Sequence, residues 1–294
     1  LGRLASIRAG LRDALESGPW CDEAGFARRV EQAYREMWRK WCQDRAPAEP
    51  SENGRASQRA ELVALFEKGR FSELCSVSQA FTARHPEDAF GWKALGTALM
   101  KRGELSAALP ALQRAVGLAP TDTQCLNTLA NVLHDRGSSD DALACLARGL
   151  EINPQEAVLH NSRGVVLKDL GRFEEAIRCY RRALALDPGL VTASNNLGVA
   201  FQELGRFEES LASFDTALKL DSKDVKTLNN RGNTLKDLCR LDEALEHFER
   251  AIALEPGLAR AHSNRLFALN YHPDKSAEEI FAAYRDYERR FGAP

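Results

Sequence analysis

Apolar and small residues along this chain recur at a fixed spacing of 34. With Ala89 as position 1 of a unit, Trp92, Leu95 and Leu99 fall at positions 4, 7 and 11, and Gly96, Ala108 and Ala115 at positions 8, 20 and 27. Leu129, Ala130 and Ala142 return in the same slots, then Gly164, Ala176, Tyr180 and Ala183, then Leu197, Gly198, Phe214 and Ala217, then Gly232, Ala244, Phe248 and Ala251. Large residues at 4, 7, 11 and 24 opposite small ones at 8, 20 and 27 predict two closely packed antiparallel helices per unit. The punctuation agrees. Gly69, Gly103, Gly137, Gly171 and Gly205 stand 34 apart, where a first helix would end in a left-handed cap. Pro86, Pro120, Pro154, Pro188 and Pro256 mark where the second helix stops, with Ser222 filling the one other slot. A fixed period of this length means stacked units that bury their apolar faces only against neighbours.

These positions are those of the tetratricopeptide repeat, and the chain is identified as a member of that repeat class. The resemblance implies an all-α, right-handed superhelix. Units fall near 55–88, 89–122, 123–156, 157–190, 191–224 and 225–258, with a partial one at 259–272, so the repeat region covers 57–272. The first unit keeps Leu65, Gly69 and Pro86 in register but puts Leu74 and Phe81 in small-residue slots, which marks it as an atypical end repeat. After Pro273, Ser276-Ala-Glu-Glu279 predicts a capping box opening a last helix over 273–294, with Ile280, Phe281, Tyr284 and Tyr287 on its apolar face.

Residues 1–43 do not follow the period. Leu4, Ile7, Leu11 and Leu15 predict one amphipathic helix, and Phe26, Val30, Tyr34, Met37, Trp38 and Trp41 a second. Residues 44–56 are polar and proline-bearing and read as a linker. A net charge of −2, with no basic stripe interleaved with aromatics, argues against nucleic acid as a partner. No apolar run reaches the ~18–20 residues that a bilayer requires, so no membrane partner is expected. The seven cysteines have no C-x-x-C pair and read as free thiols in a reducing, cytoplasmic setting. His85, His134, His160, His247, His262 and His272 have no partner set at metal-ligand spacing, so packing roles are expected and no metal.

Both ends carry a second resemblance. Residues 262–294 (HSNRLFALNYHPDKSAEEIFAAYRDYERRFGAP) look like the junction between repeats and catalytic domain in bacterial family 41 glycosyltransferases, relatives of the protein O-linked N-acetylglucosamine transferase. Residues 21–42 look like the closing helix of that catalytic domain, and residues 61–96 resemble the start of its repeat region. The order implies a window between two catalytic domains of a tandem enzyme, or a fusion of adjacent reading frames. The catalytic core itself is absent, so no catalytic residue is expected here. The donor implied for the parent enzyme is UDP-N-acetylglucosamine or another nucleotide sugar, with no cofactor in this chain.

In such solenoids the first helix of each unit (helix A) lines the groove, and asparagine recurs on that helix. Asn127, Asn161, Asn195 and Asn229 occupy position 5; Asn196, Asn230 and Asn264 occupy position 6; Asn131 and Asn233 occupy position 9. A side-chain amide carries both donor and acceptor, so one reading is a ladder that pairs with the backbone of an extended peptide. The other is that the amides stitch neighbouring repeats together. The ladder resembles the lumenal asparagines of the transferase family, whose slot is position 6; Thr128 and Ser162 interrupt it. Asp135, Asp169, Glu203 and Asp237 form a carboxylate column at position 13, beside Lys168 and Lys236, which reads as a solvated face.

The function expected is protein-substrate recognition for a protein O-glycosyltransferase, with acceptor polypeptides held in the groove. The alternative is a non-enzymatic scaffold or adaptor. The carboxylate-clamp form of adaptor, which needs lysine at position 5, asparagine at position 9 and further basic residues in the next unit, is disfavoured, because Lys93 is followed by Thr97 at position 9 and Thr128 at position 6 of the next unit. A homo-oligomer is compatible with either.

Overall fold

The computed structural model describes residues 52–292, together with Gln32, Arg35 and Glu36, which are helical. The rest of the segment read over 1–43, and residues 44–51 of the linker, lie outside the described residues. Residues 59–294 form one unit and residues 1–58 another.

Fourteen helices and no strand are found among the described residues. They are α1 (Glu52–Glu67), α2 (Phe71–Arg84), α3 (Ala89–Lys101), α4 (Leu105–Leu118), α5 (Thr123–Asp135), α6 (Ser139–Ile152) and α7 (Ala157–Asp169). Then follow α8 (Phe173–Leu186), α9 (Val191–Glu203), α10 (Phe207–Leu220), α11 (Val225–Asp237), α12 (Leu241–Leu254), α13 (Ala259–Asn270) and α14 (Ala277–Phe291). Residues 52–56, read as the end of the linker, are instead the start of α1. They contain no proline, and Glu, Arg and Ala favour helix.

Odd-numbered helices from α3 to α13 are the A helices, and the even helix after each packs against it. Each second helix then packs on the next A helix, and successive A helices also touch. What brings a pair together is size complementarity. The ring of Tyr180 lies against Gly164, that of Phe214 against Gly198 and that of Phe248 against Gly232, and all three rings are fully buried. A Cβ on those glycines would stand 2.5–2.6 Å from a ring carbon. The first repeat follows the same rule from the other side. Phe81, out of place by the pattern, is buried because Gly91 leaves room for it, where a Cβ would stand 2.4 Å away.

Turns are fixed by recurrent contacts. Gly69, Gly103, Gly137, Gly171 and Gly205 all have φ between 67° and 85°. Asp88, Asp122 and Asp224 cap the next A helix through their carboxylates. At position 4, Trp92 Nε1 donates to the Pro86 carbonyl at 2.8 Å, and His160 and His262 use Nε2 in the same way toward the Pro154 and Pro256 carbonyls at 3.0 and 3.1 Å. Those two histidines are structural turn locks.

The sixth glycine slot holds Cys239, at φ 57°, the one non-glycine residue with positive φ among those described. An L-residue in that region costs about 1–2 kcal/mol. Replacing Cys239 with glycine is expected to raise the unfolding free energy by about 1 kcal/mol, after allowance for glycine's greater unfolded-state freedom. Urea denaturation of the two proteins checks this; an unchanged or lower midpoint would refute it.

At the C-terminal end, Ser276 and Glu279 form the predicted capping box, with Glu279 N donating to Ser276 Oγ at 3.2 Å and Ser276 N to Glu279 Oε2 at 2.9 Å. The apolar face of α14 is narrower than its stripe suggests. Ile280 and Tyr287 pack against the core around Leu235, Phe248 and Leu269, with Ala283 buried between them. Phe281 and Tyr284 are exposed.

Candidate functional site: an asparagine ladder along the A helices

Positions 5 and 6 of the A helices point toward the neighbouring A helix, and six of the seven asparagines there pair across the repeat boundary. Asn196 Nδ2 donates to Asn161 Oδ1 at 3.1 Å, Asn230 Nδ2 to Asn195 Oδ1 at 3.0 Å and Asn264 Nδ2 to Asn229 Oδ1 at 2.9 Å. Each rung joins residues 35 apart, one repeat plus one residue, because adjacent A helices are offset by a single position. In each rung position 6 donates backward and position 5 accepts. Asn195 Oδ1 also accepts from Thr227 Oγ1 at 3.2 Å. Asn229 is buried, whereas Asn161, Asn195, Asn196, Asn230 and Asn264 are half-buried.

The seventh asparagine shows what happens where the pattern breaks. Asn127 stands at position 5, and its partner slot one repeat on holds Ser162, buried and too short to reach. Asn127 Oδ1 is buried without a hydrogen-bond partner. At the start of the series Lys93 fills position 5 and is held by Asp122 at 3.0 Å and Gln124 Oε1 at 3.0 Å. Burial raises the Asp122 pKa, but the Cys125 backbone N–H and Lys93 outweigh it and leave the carboxyl below its ordinary value. Lys93 is thus committed within the fold, which bears against a carboxylate clamp at that position. The position 9 residues Asn131 and Asn233 are half-buried and join no rung; Asn233 Oδ1 is buried without a partner.

Two turns beyond the ladder on the A helices a second set of cross-repeat contacts has the same offset. His134 Nε2 meets Asp169 Oδ2 at 2.8 Å, and Gln202 Nε2 donates to Asp237 Oδ2 at 2.9 Å. Lys168 Nζ lies 2.6 Å from Asp169 Oδ1. Burial pushes the Asp169 pKa up, yet Lys168 and His134 more than offset this and lower it. Asp135, Asp169, Glu203 and Asp237 are all exposed, as a solvated column would be. Ser139 Oγ lies 3.3 Å from His134 Nδ1, which gives a serine, a histidine and an aspartate in line. Lys168 already neutralises the aspartate, so the trio has the character of a surface ion pair rather than an activated nucleophile.

Among the described residues no group of histidine, cysteine and acidic side chains could hold a metal ion, and no helix is long and apolar enough to cross a membrane. Cys75, Cys125, Cys145, Cys179 and Cys239 are free thiols. Burial raises the pKa of Cys125 to about 11 and also raises Cys145 and Cys179, so these three are poor nucleophiles.

The position of each asparagine on one helix face was legible from the 34-residue period. The pairing was not, because it depends on the one-residue offset between adjacent A helices. Its signal in the sequence is asparagine at i and i+35.

Comparison with known proteins agrees with the repeat class. Family models described as tetratricopeptide repeat match residues 99–164 and 189–255, and one described as TPR repeat matches residues 166–205. The chain is similar to proteins named probable UDP-N-acetylglucosamine–peptide N-acetylglucosaminyltransferase SPINDLY. It is 40% identical over 45 residues to that of Solanum lycopersicum and 44% identical over 45 residues to that of Oryza sativa subsp. japonica. Each match covers 15% of this chain and 5% of the relative, so the chain spans only a small part of those proteins. Among solved structures it resembles the Cut9-Hcn1 hetero-tetramer of the APC/C, with a TM-score of 0.69 and 19% identity over 80% of this chain and 46% of the other. It also resembles Pseudomonas aeruginosa pilF, with a TM-score of 0.60 and 17% identity over 70% of this chain and 93% of the other.

Proposed function

Since this chain is a tetratricopeptide-repeat solenoid, a scaffold of the protein-binding kind, we propose that it is the acceptor-recognition region of a protein O-glycosyltransferase. In this reading an extended polypeptide lies along the A helices, and the position 6 amides of Asn196, Asn230 and Asn264 contact its backbone. The observation that carries the proposal is the ladder. Each position 6 amide is half-buried and oriented by its rung, which uses one of its N–H groups and leaves its oxygen and second N–H for another partner.

The spacing supports it. Packed helices lie about 8–10 Å apart, and an extended chain rises about 3.3 Å per residue, so one amide per repeat meets the peptide backbone about every three residues. Backbone contact of this kind reads little sequence, which suits an enzyme with many protein acceptors. The similarity to the SPINDLY proteins, in a stretch of 45 residues, points to the same enzyme class. The nucleotide-sugar donor, UDP-N-acetylglucosamine or a relative, belongs in this reading to a catalytic domain joined to the repeats. The expected setting is the cytoplasm.

The test replaces Asn230 and Asn264 together with alanine in the parent enzyme. Glycosylation of whole-protein acceptors should fall by about tenfold, which corresponds to the loss of about 1.4 kcal/mol of binding, while short peptide acceptors that reach only the catalytic domain keep their rate. Equal loss for both acceptor sizes would rule the reading out.

A further inference from the structure

We infer that the position 5 asparagines of the closed rungs, Asn161, Asn195 and Asn229, are positioning residues. They do not grip a ligand but set the orientation of the position 6 amide that does. The inference rests on the peptide-holding reading and adds a division of labour to it.

A free asparagine side chain rotates about its terminal torsion between two nearly equivalent arrangements, so an isolated amide offers oxygen or nitrogen to a ligand with little bias. In the three rungs that freedom is removed. The position 5 oxygen accepts from the position 6 nitrogen every time, at 2.9–3.1 Å, and the direction is the same in all three. A nitrogen held by the preceding repeat forces the position 6 oxygen to the opposite side. The three amides therefore present the same donor–acceptor order, repeat after repeat. Fixing the rotor in advance removes part of the entropy cost that binding would otherwise incur.

The break in the ladder is consistent with this role. Asn127 presents the same acceptor, but Ser162 supplies no amide for it to orient, and the Asn127 oxygen is buried without a partner. Position 5 is thus prepared for a rung that the sequence does not complete. Asn161 is the cleaner residue to vary, because Asn195 also accepts from Thr227.

The experiment uses the whole chain and a fluorescein-labelled peptide of about 20 residues rich in Ser, Thr and Pro, long enough at about 3.3 Å per residue to cross every rung. Three variants are compared by fluorescence anisotropy: Asn161→Leu, which removes the acceptor; Asn161→Asp, which keeps it; and Ser162→Asn, which supplies the missing amide opposite Asn127. Affinity should fall about fivefold in the first, stay within about twofold in the second and rise about threefold in the third, each being a fraction of one neutral hydrogen bond. The Asn196 side-chain NH₂ resonances give an independent readout. Their ¹⁵N relaxation should report a rigid side-chain amide in the original chain and in Asn161→Asp, and a mobile one in Asn161→Leu.

Equal affinities across the Asn161 variants, or equal loss in Asp and Leu, would overturn the positioning role while leaving the peptide-holding reading intact. Failure of the original chain to bind the probe, with the Asn196 amide still responding to Asn161, would instead remove the peptide-holding reading and reduce the rung to a structural link.

Discussion

Substituting Gly198 with alanine is expected to destabilise the protein by about 2 kcal/mol, the middle of the range for overpacking a filled core. The direction is opposite to helix propensity, which favours alanine over glycine by about 1 kcal/mol. The difference comes from Phe214. Its ring is fully buried, and the new methyl group would stand 2.6 Å from a ring carbon. A buried ring cannot swing aside as a surface side chain can. The third repeat already shows the alternative solution, with Ala130 and Leu146 in the same two slots, both fully buried. The double variant Gly198→Ala, Phe214→Leu should therefore be more stable than the sum of the two single changes predicts, by about 1 kcal/mol or more. Urea midpoints for the four proteins decide it. Strict additivity would mean that glycine is present for some reason other than room for the ring.

Acid should weaken the protein through His247. This residue is buried on α12 beside Arg231, whose Nη1 donates to His247 Nε2, while Arg231 Nε donates to Asp215 at 2.8 Å. Burial, with the positive charge of Arg231 added to it, lowers the pKa of the imidazole from 6.5 to about 4. The folded state thus holds His247 neutral at a pH where the unfolded chain binds a proton. Between pH 6.5 and 4 the unfolded state carries more protons, so stability falls with falling pH. The change amounts to about 3 kcal/mol between pH 7 and pH 4. Serine occupies the same slot one repeat earlier, at Ser213. Comparing the original chain with His247→Ser at both pH values isolates the contribution, since the carboxylates are common to the two. The variant should lose less stability by about 3 kcal/mol; a loss equal to that of the original chain would assign the acid sensitivity elsewhere.

The repeat architecture was legible because its determinants are local. A glycine in a left-handed cap, a proline after a helix and a small residue facing a large one are each visible in a single window of sequence. Departures from the pattern depended on partners elsewhere. Phe81 breaks the small-residue rule, but the space it needs is made by Gly91, ten residues on and in another helix. Cys239 makes the same backbone bond as the glycines of this slot, its N–H donating to the Lys236 carbonyl, and nothing in the structure explains the cysteine. The α14 stripe overstated burial because periodicity reports that a face is apolar and not how much of it a neighbour covers. For the candidate site, the asparagines on one face could be read directly. Their pairing could not, since it turns on how far one helix is shifted against the next.

Every described helix contacts only helices one or two places away in the chain. Contacts of this kind are joined end to end, with none bridging across, so a pull on the two ends loads each junction in series. Extension then concentrates at the most compliant junction instead of being shared. A rung adds stiffness where one A helix meets the next. At the α5–α7 junction, where Asn127 faces Ser162 without closing a bond, the His134–Asp169 contact is the cross-repeat link instead. Amide rungs thus splint the asparagine-rich repeats, and a lysine and a histidine splint the junctions before them, so no junction between successive A helices from α3 to α13 is left to packing alone.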